Sequence, residues 1–264
     1  MLFRFRAGLL LVAAVSGCTV PGPEDHVKGW RIRVAAASDM QTVFPKLIDG
    51  FHKVSPNDRI EPVFGSSGQL AAQVEAGAPF DLFLSANEKY VRTLESKGLV
   101  QRPVATYAIG RLVLAVNKDA DPGGKVGGLP DVTRPEIKRI AIANPEVAPY
   151  GAAAVQALKS AGLWEQVEPK IVRAESVRQA LQFVETGNAE VGLVSKATAD
   201  VPGVRLLDVD PKLHDPIVQS LGVLRIQGDN DLVDRFVRFL LGEEGRSILE
   251  AHGFMLPDPS RTAP

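Results

Sequence analysis

Arg33-Val-Ala-Ala-Ala-Ser38-Asp-Met-Gln-Thr-Val-Phe44 and Phe64-Gly-Ser66-Ser67-Gly68-Gln-Leu70 follow one plan: a short apolar run, a turn of small residues, then a helical pattern. Such a turn offers hydroxyls and unpaired backbone N–H groups at the positive end of a helix dipole, an arrangement that suits an anion. Ile32 to Ala36 reads as a strand buried on both faces and therefore parallel to its neighbours. Beyond Ser38, the residues Met40, Val43, Phe44, Leu47, Ile48 and Phe51 recur at helical spacing and form one apolar stripe. Pro45 interrupts that stripe and predicts either a kink or a first turn set apart from the rest.

The same alternation continues down the chain. Strands are expected at Ile60 to Phe64, Phe80 to Leu84, Arg111 to Val116, Arg139 to Ala143, Ile171 to Arg173, Val191 to Val194, Val204 to Leu207 and Ile217 to Ile226. Helices are expected from Gln69 to Ala76, from Asn87 through Lys97, from Tyr150 to Ala161, from Ser176 to Glu185, and over Asp231 to Leu241 and Glu243 to Ala251. Gly77, Gly98, Gly162 and Gly187 stand where helices stop. Strands alternating with helices imply parallel sheets and an α/β class, and 264 residues are enough for two lobes.

Charge and composition exclude several functions. A net charge of −1 with no basic run gives no footprint for nucleic acid. Arg4 and Arg6, the apolar stretch Leu9 to Val15, and Val15-Ser16-Gly17 read in that order as a secretory signal over residues 1–17, too short to span a membrane. The only cysteine, Cys18, follows directly, so no internal disulfide can form. This arrangement resembles the lipobox of bacterial lipoproteins, which implies lipidation of Cys18 and a membrane anchor. Residues 18–30, rich in Pro and Gly, read as a flexible tether. Without residues 1–17 the chain keeps 28 basic against 31 acidic residues, about −3.

Ser38, Ser66 and Ser176 each have a glutamine three residues on, so each pair is either a capping box or part of an anion site. Val147-Ala-Pro149-Tyr150-Gly151 is a fourth turn opening a helix. Strand C-termini in an open α/β sheet gather on one edge, where ligands bind, and four such turns in one chain favour the anion reading. Asp39 is either a base beside Ser38 or a favourable charge in a helix first turn. Asp81 either hydrogen-bonds N–H groups near the site or sits at a sheet edge. Enzyme chemistry finds little support. Gly65-Ser-Ser67-Gly68-Gln69 lacks the last glycine of a nucleophile elbow, no phosphate-binding loop ends in Gly-Lys-Ser/Thr, and His26, His52, His214 and His252 lack metal-ligand spacing.

Several segments together resemble the periplasmic molybdate-binding proteins of ABC transporters: Val34 to Ser38, Phe64 to Leu70, Glu75 to Ala86, Asn144 to Gly151, Ala174 to Leu181, Val191 to Val194 and His252-Gly-Phe254. The resemblance runs from about Arg31 to Phe254. It implies a type II periplasmic-binding-protein fold, two α/β lobes joined by a two-strand hinge. Residues 31–106 with 218–257 would form lobe I and residues 107–217 lobe II. It further implies a non-enzymatic monomer without cofactor that captures molybdate or tungstate for an ABC transporter permease. Ser38 and Ser67 would donate from the first lobe and the N–H groups of Tyr150 and Val177 from the second. Ser195 stands where the family commonly has a tyrosine, so it would bind through water, or Tyr150 would supply the hydroxyl. Alternatives are sulfate, phosphate or a small organic anion as ligand, a sensor input, or a secreted serine hydrolase using Ser38 or Ser67.

Overall fold

The computed structural model describes residues 30–101, 104–224 and 231–257. The expected signal, Cys18 and nearly all of the tether lie outside the described residues. The first half of the chain is β1 (Arg31–Ala37), a 3-10 turn (Ser38–Met40), α1 (Phe44–His52), β2 (Arg59–Gly65), α2 (Ser67–Glu75), β3 (Leu82–Ser85), α3 (Glu88–Ser96), β4 (Ala105–Gly110) and β5 (Leu112–Asn117). There follow β6 (Ile140–Ala143), α4 (Pro149–Ser160), α5 (Trp164–Val167), β7 (Ile171–Ala174), α6 (Val177–Glu185), β8 (Val191–Ser195), β9 (Val204–Asp208), β10 (Ile217–Val223), α7 (Asp231–Leu241) and α8 (Glu243–Ala251).

Two five-stranded sheets result, ordered β2-β1-β3-β10-β4 and β7-β6-β8-β5-β9. Each has three parallel strands, then two joined on through antiparallel pairings, β10 and β5 alone running against the rest, so the sheets are mixed rather than wholly parallel. The antiparallel strands flank the two crossings between sheets, at Arg111 and between Asp208 and Ile217. Residues 107–110, expected with the second lobe, run in the first sheet as the latter part of β4.

Period-two alternation in β1 builds both faces of the first sheet. Val34 and Ala36 join Met40, Phe44, Leu47, Phe51, Phe236 and Leu240 in one apolar cluster, while Ala35 joins Leu70, Phe83, Val91 and Leu94 in another. Phe51 meets Phe236 edge-on with ring centroids 5.4 Å apart, fastening α7 over α1. A continuous cluster around β5, β6 and β8 fills the second lobe. The conflict at Pro45 resolves by a break: Ser38–Met40 is a separate 3-10 turn, and Pro45 falls in the first turn of α1, where its missing N–H costs nothing. That break frees the Ser38-Asp39 turn to sit at the end of β1 rather than inside a helix.

Candidate functional site

The C-terminal ends of the parallel strands in both sheets face one cleft, and the turns after them supply its walls. Ser38 and Asp39 follow β1, Gly65 to Ser67 close β2, and Ala86 follows β3. From the other sheet, Ala148 to Tyr150 open α4 after β6, and Val177 opens α6 after β7. All of these residues line a single cavity with about 190 Å³ of non-atom space. A chamber this small excludes a sugar or peptide.

Four of the five residues marked from the sequence, Ser38, Ser67, Tyr150 and Val177, are therefore brought together on this cavity. Ser195 stands behind it, fully buried, and its Oγ donates to the Tyr150 hydroxyl at 3.0 Å while accepting from the Ala197 N–H. With its lone pair occupied by Ser195, the Tyr150 hydroxyl keeps its own proton to donate, and the Asp39 carboxyl is one acceptor within its reach. Ser67 Oγ accepts from the Ala86 N–H at 3.0 Å, which ties the ends of β2 and β3 and leaves its hydroxyl proton free. Val177 is the first residue of α6 and Tyr150 the second of α4, after Pro149, so their N–H groups have no partner within their own helices.

Two wall residues carry signals that local pattern reading assigns to helix ends. Ser66 occupies the N-cap position of α2, yet its side chain makes no capping bond and its buried Oγ has no hydrogen-bond partner. Asp39 is not a solvated first-turn charge but is 1% exposed. Its Oδ2 accepts from Gln219 Nε2 at 2.6 Å, and Gln219 Oε1 in turn accepts from the Tyr107 hydroxyl at 3.0 Å. Burial pushes the Asp39 carboxyl up to about 6 against the opposing hydrogen bonds from Tyr150, Gln219 and the backbone. Burial first, and the Asp39 carboxylate second, hold the Tyr150 hydroxyl well above its ordinary range. Among the described residues no Lys or Arg lines the cavity. Arg178, next to Val177, is engaged with Glu185 at 2.8 Å.

Two glycines allow this closeness. A side chain at Gly110 would collide with the Tyr150 hydroxyl and stand 3.0 Å from Gln219 Nε2. Gly68 donates its N–H to the Val147 carbonyl at 2.8 Å across the cleft, and a Cβ there would lie 2.9 Å from that same oxygen. The two lobes are thus in contact over the cavity. Asp81 belongs to the opposite end of the sheet, where its Oδ2 accepts from the Arg33 N–H at 2.6 Å and burial raises its pKa. His52 pairs with the Asp58 carbonyl at 3.0 Å. Among the described residues no group of His, Cys, Asp and Glu could hold a metal cation.

Two α/β lobes joined by two crossings, closed over a small chamber walled by hydroxyls and helix-start N–H groups, define a solute-binding protein. The chain belongs to the bacterial extracellular solute-binding protein family, whose model matches residues 32–255. The molybdate-binding protein ModA of Azotobacter vinelandii is 34% identical over 258 residues, 95% of this chain and 97% of that one. ModA of Rhodobacter capsulatus is 32% identical over 252 residues, 95% of this chain and 96% of that one. Among solved structures, the periplasmic molybdate-binding protein of Azotobacter vinelandii matches with a TM-score of 0.78 and 31% identity, covering 86% of this chain and all of that one.

Proposed function

We propose that this protein captures molybdate or tungstate outside the cytoplasmic membrane and delivers it to the permease of an ABC importer. The observation that carries this reading is the cavity itself, walled from both lobes by uncharged donors and, among the described residues, by no cation. Ser38 and Ser67 hydroxyls and the N–H groups of Tyr150 and Val177 are its donors, and the Tyr150 hydroxyl, seated by Ser195, supplies the phenol expected after β8. Hydrogen bonds to a charged guest are each worth about 1.5–3 kcal/mol, and the dianion's lost hydration has to be offset by a complete set of them in a closed, dry chamber. A rigid set of neutral donors selects by size, so molybdate and tungstate are bound alike and the smaller sulfate less well. The names and close similarity of the molybdate-binding relatives support the same choice of anion.

In this reading the protein works as a monomer held to a membrane by a lipid on Cys18. Its lobes, one built on each sheet, open and close about the two crossings. Isothermal titration against molybdate, tungstate, sulfate and phosphate tests the assignment. Submicromolar binding of molybdate and tungstate with weak sulfate binding is expected. Absence of heat and of thermal stabilisation with both larger anions overturns it.

A further inference from the structure

The acidic wall residue is at odds with an anionic guest. An ionised carboxylate accepts hydrogen bonds and donates none, and a fully deprotonated tetrahedral oxyanion does the same. Placed together in a buried chamber they repel, and nothing cationic stands between them. The surrounding bonds say where a proton would go. Oδ2 of Asp39 takes the amide proton of Gln219, whose orientation is set by the Tyr107 hydroxyl on its other end. Oδ1 is buried and has no hydrogen-bond partner. A carboxylate could only accept there, from Tyr150 or the backbone, whereas a carboxylic acid makes both oxygens useful beside an anion, with Oδ2 accepting and Oδ1–H donating.

We propose that Asp39 is itself an anion-binding residue, which donates Oδ1–H to the guest as a carboxylic acid, so that each anion bound brings one proton with it from solvent. This rests on the reading of the cavity as an oxyanion site. Its setting supports it. Tyr150 from α4 faces Asp39 directly and Tyr107 from β4 faces it through Gln219, both neutral hydroxyls. The charged groups on the other elements packed against the Ser38–Met40 turn are engaged elsewhere. Arg178 of α6 pairs with Glu185, Lys196 of the turn after β8 lies 3.7 Å from Asp208, and Glu61 of β2 lies 3.7 Å from Arg31. Burial already pushes the carboxyl up to about 6. An incoming dianion raises it further, because a like charge disfavours ionisation.

Proton linkage gives the test. Titration of the protein with molybdate at pH 8, in Hepes and in Tris, counts protons from the difference in buffer heat. Uptake close to one proton per anion is expected, with affinity falling about tenfold per pH unit from pH 7 to pH 8.5. Asp39→Asn keeps an acceptor for Gln219 and offers an N–H to the guest, so it should take up no proton. Its affinity should be flat with pH, and at pH 8 at least tenfold tighter than that of the unmodified protein. Tight binding by the unmodified protein with no proton uptake overturns the role of Asp39 while leaving the site intact, and needs no variant. Uptake that persists in Asp39→Asn overturns it as well, as does a preference for hydrogenphosphate, whose own proton an ionised Asp39 would accept. If none of molybdate, tungstate, sulfate or phosphate binds, the oxyanion reading falls first and this role with it.

Discussion

The turns that open α2 and α6 start from one pattern, serine with glutamine three residues on, and end differently. At Ser176 the hydroxyl accepts from the Gln179 N–H at 3.2 Å, and the Gln179 side chain reaches back to the Glu175 N–H at 2.6 Å. That helix end satisfies itself. At Ser66 the hydroxyl is buried without a partner, and the neighbouring Asp39 has an equally unpartnered oxygen. The two serines also differ in backbone, at φ −146° and −71°. The helix end at Ser176 therefore leaves the guest only a backbone N–H, while the first lobe withholds side-chain polar groups from its own fold. A polar group left unpaired in a buried wall costs stability, and it is retained where something else is meant to meet it.

If the first lobe forgoes stability in this way, relieving it should show without any anion. Asp39→Asn should raise stability at pH 8 by about 3 kcal/mol relative to the unmodified protein, from a carboxyl shifted from 3.8 to about 6. The sign follows from the raised value. The protonated form is favoured by folding, so its stabilisation is whole below about pH 4 and lost as pH rises through about 6. Urea denaturation of both proteins should therefore show the gap opening between pH 4 and pH 7. Equal stability across that range would mean that Asp39 bears no such burden.

Ser67→Ala should weaken molybdate binding by about 1–3 kcal/mol, since it removes a donor and also leaves the Ala86 N–H unpaired. An unchanged dissociation constant removes Ser67 from the site. The sharpest contrast is a matched pair. Ser176→Ala should cost about 1 kcal/mol of stability and leave anion affinity alone, as expected for a lost cap. Ser66→Ala should do the reverse, weakening the anion by about 1 kcal/mol without loss of stability. If both variants lose stability equally, the two turns do not differ in kind. The smallest effect belongs to Ser195→Ala, which acts only through Tyr150 and should change affinity by less than about 1 kcal/mol. A loss as large as that of Tyr150→Phe would place Ser195 at the anion.

The parts of this molecule legible in its sequence are those written in local periodicity. The apolar stripe from Met40 to Phe51, the glycines that end α2, α3, α4 and α6, and the hydroxyl turns after β1 and β2 all depend on residues a few positions apart. β4 is not legible. Ala105 to Gly110 runs into β5 with only Arg111 between, so no loop separates the two strands and Gly110 alone punctuates them. Asp39 and Ser66 look like ordinary helix-start residues, because the pattern that makes a cap is the same whether the hydroxyl turns inward or not. The polar chain behind the cavity is invisible for another reason: Tyr107 and Gln219 are 112 residues apart, and Gln219 and Asp39 are 180 apart. Only the two crossings bring them together.

The bond from Gly68 to Val147 gives the protein a built-in timer. That amide proton is shielded while the halves are shut and can trade with deuterium only when they part, so its exchange rate reports how often the empty molecule opens. Adding anion should slow the exchange in proportion to occupancy, and the ratio of the two rates would give the holding strength of the chamber from a single backbone position.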